Sequence, residues 1–215
     1  MTIKTVGIVG SGKLGTALGR LALAAGFETL VYSRPKPTLA MILETILPGS
    51  KLVSLEEIAE RADVVILAVP HTVAASLPLD TMRGVIIDAT NPWEATGTAN
   101  GSTLSPAEAF PQLPIARSLN HISYEELVAD AQPQLVGDGE GQTSAGDQTS
   151  AGPLRRAVAV SSNHEAAAET AAELVAAFGF DPVRIPTSAA TLFNADGRLF
   201  GAWLSADDLR AQLAQ

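Results

Sequence analysis

Short apolar runs alternate with amphipathic stretches along most of this chain. Val6-Gly7-Ile8-Val9 is the first run. Leu14, Ala17, Leu18, Leu21 and Ala25 then recur at helical spacing, and Gly26 stops the stripe. Thr29-Leu30-Val31-Tyr32 is the second run. The pattern continues with a helix over 39–47 closed by Pro48-Gly49, a short strand at 51–53, and a helix opened by the capping box of Ser54 and Glu57. A buried strand is predicted over 63–69, ended by Pro70-His71, then a short helix near 72–77 and another buried strand over 84–89. Ser105-Pro106-Ala107-Glu108 and the Ser123/Glu126 box open two more helices around a strand at 115–118. A strand at 157–160 precedes a long helix that Ser162 and Glu165 are expected to cap, with Ala171, Leu174, Val175 and Phe178 on one face and Gly179 at its end. A strand at 183–185 and a final helix begun by Ser205 and Asp208 complete the pattern.

Strand runs that are apolar on both faces, separated by helices, imply parallel strands covered on both sides. The expected fold is therefore α/β: a Rossmann-type doubly wound, mainly parallel sheet with a small C-terminal strand-helix-strand extension. Residues 1–120 form the expected dinucleotide-binding core and 121–215 the extension, packed together as one compact unit. One segment departs from the alternation. Residues 137–153 are poor in apolar side chains and repeat Gln-Thr-Ser-Ala-Gly at 142–146 and 148–152. That composition buries too little surface to order itself, so a mobile surface loop is expected there.

Composition narrows the functions. The chain is 47% hydrophobic and 17% charged, so a sizeable core is available, and its net charge is −9. An acidic surface argues against nucleic acid or an anionic membrane as partner. With no cysteine there is no disulfide, thiolate nucleophile or zinc–sulfur site, and no metal site is expected. No signal-peptide pattern precedes the first strand, and no apolar run is long enough to span a bilayer, so a cytoplasmic protein is expected.

The candidate chemistry begins at Gly10-Ser11-Gly12-Lys13-Leu14-Gly15, a GxGxxG between the first strand and the first helix. In that context the motif is a dinucleotide fingerprint. Gly10 makes the turn, Gly12 lets a pyrophosphate approach the backbone, and Gly15 lets the helix pack close to the sheet. The loop, including Lys13 and Leu14, presents free N–H groups to the anion. At the end of the second strand an NAD enzyme usually carries Asp or Glu for the ribose 2′-hydroxyl. Here Ser33-Arg34-Pro35-Lys36 stands instead. A guanidinium grips a 2′-phosphate that a carboxylate would repel. The sequence therefore predicts NADP(H), with Ser33 and Arg34 as the phosphate clamp and Lys36 as a third contact.

In order, GIVGSGKLG, VYSR, DVVILAVP, VIIDATNPW, ARSLNHISYEEL and FGFDPVRIP resemble the F420-dependent NADP reductase family over nearly the whole chain, less so after Pro186. The resemblance implies hydride transfer between NADP(H) and the deazaflavin coenzyme F420, a homodimer, and an extension that shapes the acceptor site. It implies that Ser33 and Arg34 contact the 2′-phosphate, that Val69, Pro70 and His71 line the ribose on the nicotinamide side, and that Ala89, Thr90 and Asn91 lie beside the nicotinamide; Ala68 is a further candidate cofactor-binding residue. The segment Ala190–Asp196 departs from the family's usual closing segment.

Hydride transfer between two rings needs alignment and dryness more than a nucleophile. The proton that accompanies it makes His71 and His121, each just beyond a strand, the candidate catalytic groups. Asn91, Pro92, Trp93, Asn120 and His121 are the candidate acceptor-side residues. His164 reads as a solvated residue near a cap, and Arg155 and Arg156 as a solvated loop end or contacts for an anionic tail. Two alternatives stay open: an NADPH-dependent reductase of a flavin, iron chelate, imine or carbonyl compound, and a non-catalytic NADP-binding sensor.

Overall fold

Among the described residues, eight strands form one sheet in the order β3-β2-β1-β4-β5-β6-β7-β8. The computed structural model describes residues 2–92, 104–133 and 154–214. Trp93 and the 137–153 segment lie outside the described residues. The strands are β1 Thr5–Val9, β2 Glu28–Tyr32, β3 Lys51–Leu52, β4 Val64–Leu67, β5 Val85–Asp88, β6 Ile115–Ser118, β7 Ala157–Ser161 and β8 Asp181–Ile185. Every pairing is parallel except β6 with β7, where Arg117 faces Ser161 and Ser118 faces Val160. The strand order reverses between β1 and β4, the switch point where open α/β sheets bind ligands beyond their carboxyl ends. β7 and β8 continue the sheet, so the extension shares the core's hydrogen-bond ladder.

The helices are α1 Lys13–Ala24, α2 Leu39–Met41, α3 Leu55–Arg61, α4 His71–Ala74, α5 Pro106–Ala109, α6 Tyr124–Asp130, α7 Glu165–Ala177 and α8 Ala206–Leu213. Strand alternation divides the core. Ile8, Val64, Ile66, Ile87, Ala116, Val158 and Val160 face the layer that holds α1 and α7. Val9, Val65, Leu67, Ile86 and Ile115 face α3, α4 and α5. A third cluster packs Val183 and Ile185 against Phe193, Leu199 and Leu209 of the C-terminal segment. All four β4 side chains are fully buried, and each such aliphatic side chain contributes roughly 1.5–3 kcal/mol.

Local signals held where they were strongest. Ser54, Ser105 and Ser123 each cap their helix in a reciprocal box with Glu57, Glu108 and Glu126. α1 and α7 stop at Gly26 and Gly179, as expected. Three readings need correction. The predicted 39–47 helix is α2 followed by a π-helical turn, Ile42–Ile46. The helix expected over 72–77 begins one residue earlier and ends at Ala74. Ser162 does not cap α7. His164 is the N-cap residue, and the Ser162 hydroxyl, two residues earlier, accepts from the His164 amide while donating to the carbonyl of Ile115 across the β6–β7 seam.

Candidate active site

The glycine loop is shaped by close approach. Gly10 has φ +116°, and a Cβ there would lie 2.3 Å from the Ala68 carbonyl oxygen. At Gly15 a Cβ would lie 2.1 Å from the Gly10 carbonyl oxygen. Neither position admits a side chain. Gly12 is different: a Cβ there would meet nothing within 4 Å. It points into open space in front of the first turn of α1. That turn has no side-chain cap and no acidic residue, so its N–H groups and dipole are left for an anion.

The open space is a groove of about 700 Å³ lined by the loop, the end of β2, and Ala68, Val69 and Pro70 beyond β4. No acidic side chain lines it among the described residues. The Ser11 and Ser33 hydroxyls are 2.6 Å apart, and the Lys36 ammonium donates to the Ser11 carbonyl at 2.6 Å. Together these contacts tie the loop after β2 to the glycine loop. Arg34 is exposed at the rim, and among the described residues nothing engages its guanidinium. The residues present therefore fit a dinucleotide with an anionic adenosine edge. Lys13 and Leu14 do not line the groove. Lys13 turns toward α6, where its ammonium sits 5.1 Å from the Tyr124 ring centroid, and Leu14 packs on the core.

A second cavity, of about 270 Å³, lies on the α4–α5 face over β6. His71, Pro92, Arg117, Ser161, His164 and Asn194 are among its walls. The step from Pro70 to His71 separates it from the groove, since Pro70 lines one and His71 the other.

Behind this cavity runs a buried polar chain. His71 Nδ1 is 3.0 Å from the Thr90 hydroxyl. The Thr90 hydroxyl donates to Asp88 Oδ1 at 2.7 Å, and the Thr90 amide donates to the same oxygen at 3.0 Å. Arg117 Nη1 donates to Asp88 Oδ2 at 2.7 Å, and its Nη2 donates to Asn194 at 2.8 Å. Asp88 is fully buried and the Arg117 side chain is 8% exposed. A second link joins Asn91 and Asn120: the Asn91 amide donates to the Asn120 carbonyl at 2.5 Å. Asn120 in turn donates to the Asn91 side chain and to the Phe193 carbonyl. Leu119, buried at φ +63°, turns the chain sharply between β6 and this link.

The structure brings together some predicted site residues and not others. Ala68, Val69 and Pro70 reach the groove, while His71 and Pro92 reach the cavity. Ala89, Thr90, Asn91 and Asn120 line neither, and act from behind the walls. His121 also lines neither. It is buried edge-on against Phe193, with ring centroids 4.9 Å apart and both ring nitrogens without a partner among the described residues. Burial first, then the charges of Arg156 and Arg117, push its pKa down to about 3. His164 is held by a 2.8 Å bond to the Pro111 carbonyl rather than being free in solvent. Arg156 is neither solvated nor at hand for a ligand. It is fully buried, pairing with Asp130 at 2.9 Å and Glu126 at 3.4 Å and donating to the carbonyls of Gly201 and Ala202.

Asp88, Arg117 and Asn194 were missed. Opposite charges inside two apolar strand runs, VIID and IARS, were a readable signal for the first two. Asn194 had none, because its role depends on a segment 77 residues from Arg117.

The depressed His121 value carries a sign. Its folded form stays neutral while the unfolded chain takes up a proton below about pH 6.5. Stability is then full above pH 6.5 and falls as the pH drops toward 3. The expected loss attributable to His121 is about 2 kcal/mol between pH 7 and pH 5. Urea unfolding at both values should show His121→Phe with a distinctly flatter dependence; an unchanged slope would refute the assignment.

Residues 5–92 match the family model described as NADP oxidoreductase, coenzyme F420-dependent. The glyoxylate reductase of Thermococcus kodakarensis is 43% identical over 70 residues, which is 32% of this chain and 20% of that protein. The match thus spans only a fifth of the curated relative. Among solved structures, a hypothetical protein of Sinorhizobium meliloti superposes with TM-score 0.71 and 26% identity, covering 94% of this chain and 96% of that one. A protein named "putative f420 dependent nadp-reductase", from Arthrobacter sp. FB24, superposes with TM-score 0.62 and 19% identity, covering 88% and 87%. That likeness shows a shared fold. The stretch that matches the family model, residues 5–92, takes in the glycine loop, the β2 end and the β4–β5 edge.

Proposed function

We propose that this protein is an oxidoreductase that transfers hydride between NADP(H), held in the groove, and an acceptor held in the second cavity, with F420 as that acceptor. The observation that carries the reading is the placement of the two spaces on either side of the Pro70–His71 step. Bound nicotinamide supplies the hydride chemistry. The chain's own residues hold both partners, exclude water and manage the accompanying proton. The glycine loop and the α1 N-terminus take the pyrophosphate, Arg34 and Ser33 the 2′-phosphate, and Ala68 and Val69 form the floor toward the nicotinamide. His71 stands at the wall between the two partners.

The test is an absorbance time course with NADPH and F420, with FMN run in parallel. Loss of the oxidised deazaflavin band with FMN inert is expected; NADPH binding without turnover of F420 would overturn the acceptor assignment. A compact carbonyl or imine acceptor is the second reading, favoured by the modest 270 Å³ of the cavity, and a substrate panel separates the two. The family resemblance also supports a homodimer, which light scattering tests.

Arg34→Ala isolates the cofactor preference. A charge-assisted contact to the 2′-phosphate is worth about 1.5–3 kcal/mol. NADPH affinity should therefore fall roughly 10- to 100-fold while NADH affinity barely changes. Calorimetric titration with both nucleotides measures this, and equal losses would refute the clamp.

A further inference from the structure

We propose that Thr90 and Asp88 fix His71 as its Nδ1–H tautomer. Its Nε2 then carries a lone pair, and the second cavity selects a hydride partner that offers an N–H or O–H to it. The proton count forces the first part. Both Asp88 oxygens already accept N–H donors, from Arg117 and from the Thr90 amide. A 2.7 Å contact between the Thr90 hydroxyl and Asp88 Oδ1 then needs the hydroxyl proton to lie between them. That hydroxyl has one proton. Having given it to Asp88, it can only accept from His71, so Nδ1 must be the protonated nitrogen at 3.0 Å. In a neutral ring Nε2 is then an acceptor. His71 is 5% exposed, and its Nε2 is buried with no partner among the described residues. A buried acceptor without a partner is destabilising, and a donor on a bound ligand removes that penalty.

His71 lines the second cavity, and the other polar groups there are mostly spoken for. Arg117 is neutralised by Asp88 and bonded to Asn194, Glu108 is held in its capping box, and His164 is bonded to Pro111. His71 Nε2 is thus the ring acceptor in a wall that otherwise offers the Ser161, Thr187 and Thr191 hydroxyls, the Asn163 side chain and apolar groups. It suits the reduced form of a ring or alcohol that carries an N–H or O–H near its hydride-bearing carbon. When that carbon gives its hydride to the oxidised nicotinamide, the N–H or O–H proton passes to His71 Nε2. In the reverse direction, protonated His71 returns the proton as the carbon receives the hydride. The positive ring formed in between stays bonded through Thr90 to the Asp88 carboxylate. On this reading Thr90 and Asp88 are positioning residues, and Arg117 holds the carboxylate toward Thr90.

The catalytic part rests on the proposed hydride transfer, but the tautomer does not, so the two can fail separately. Ring ¹⁵N spectra of the full-length protein decide the tautomer, with the three histidines assigned by single replacements. The wild type should show protonated Nδ1 and bare Nε2 at His71. Thr90→Val should move the ring toward the Nε2–H form, and Thr90→Ser should keep the wild-type pattern. A wild-type ring protonated at Nε2, or a Thr90→Val spectrum identical to wild type, would overturn the proposal. If Thr90→Val fails to fold, the wild-type and Thr90→Ser spectra still test it. Should F420 and the carbonyl panel all prove inert while the spectra behave as expected, the hydride-transfer reading fails and the tautomer assignment survives.

Discussion

Gly12→Val should fold normally and bind NADPH at least about 100-fold more weakly, a loss of roughly 2.7 kcal/mol. The two halves of this expectation have separate causes. Folding is spared because Gly12 sits at φ −76°, ψ −169°, an extended conformation open to any L residue, and because its Cβ meets no protein atom within 4 Å. Binding is lost because the valine would stand in front of the first turn of α1, where a pyrophosphate must come close to the backbone N–H groups. The neighbouring glycines supply the contrast. Gly10→Ala or Gly15→Ala drives a methyl into backbone carbonyls at 2.3 and 2.1 Å, so these variants should lose stability first and binding as a consequence. Thermal unfolding and calorimetric titration on the three variants separate the cases. A Gly12→Val protein with wild-type affinity would show that no phosphate docks at this loop.

The second large effect is expected at the Asp88–Arg117 pair. Arg117→Met should lower unfolding free energy by about 3–5 kcal/mol, because it strands a carboxylate with no solvent exposure of its own. The charge is not wholly abandoned, since the Thr90 amide and hydroxyl still donate to Asp88, which favours the lower end. Replacing both partners, with Asp88→Asn in the same chain, should recover much of the loss, since the penalty lies in the unpaired charge more than in the missing attraction. Urea midpoints of the two single variants and the double variant form the cycle. A loss below about 1 kcal/mol for Arg117→Met would mean that water reaches Asp88 and that the polar chain behind the second cavity is not dry. The same variant frees Asn194, so the C-terminal segment loses one of its ties to the site.

Much of the molecule was decided within a few consecutive residues, and those parts were legible. The boxes at Ser54, Ser105 and Ser123 each involve partners three residues apart. Gly10, Gly12 and Gly15 sit between an apolar run and a helical stripe, and the absence of a carboxylate after β2 needs only the letters of that turn. The parallel sheet followed from strands that are apolar on both faces. What sequence could not settle depends on partners far apart in the chain. Ser162 has the residue type and spacing of a cap, yet α7 starts after His164, and the Ser162 hydroxyl sits between the His164 amide and the Ile115 carbonyl, 47 residues away, once β7 runs antiparallel to β6. Arg156 has the composition of a solvated loop end, but Asp130, Glu126 and two carbonyls near the C-terminus surround it. His71 and His121 both follow strands and looked equivalent. Tertiary packing gave one a hydrogen-bonded ring on a cavity wall and the other a dry slot against Phe193. The sequence by itself determined the strand–helix order, the caps and the dinucleotide fingerprint, because each is fixed by short-range geometry. Only the tertiary structure decided which polar residues meet, because a buried charge or hydroxyl takes whichever partner the packed chain brings within hydrogen-bond reach.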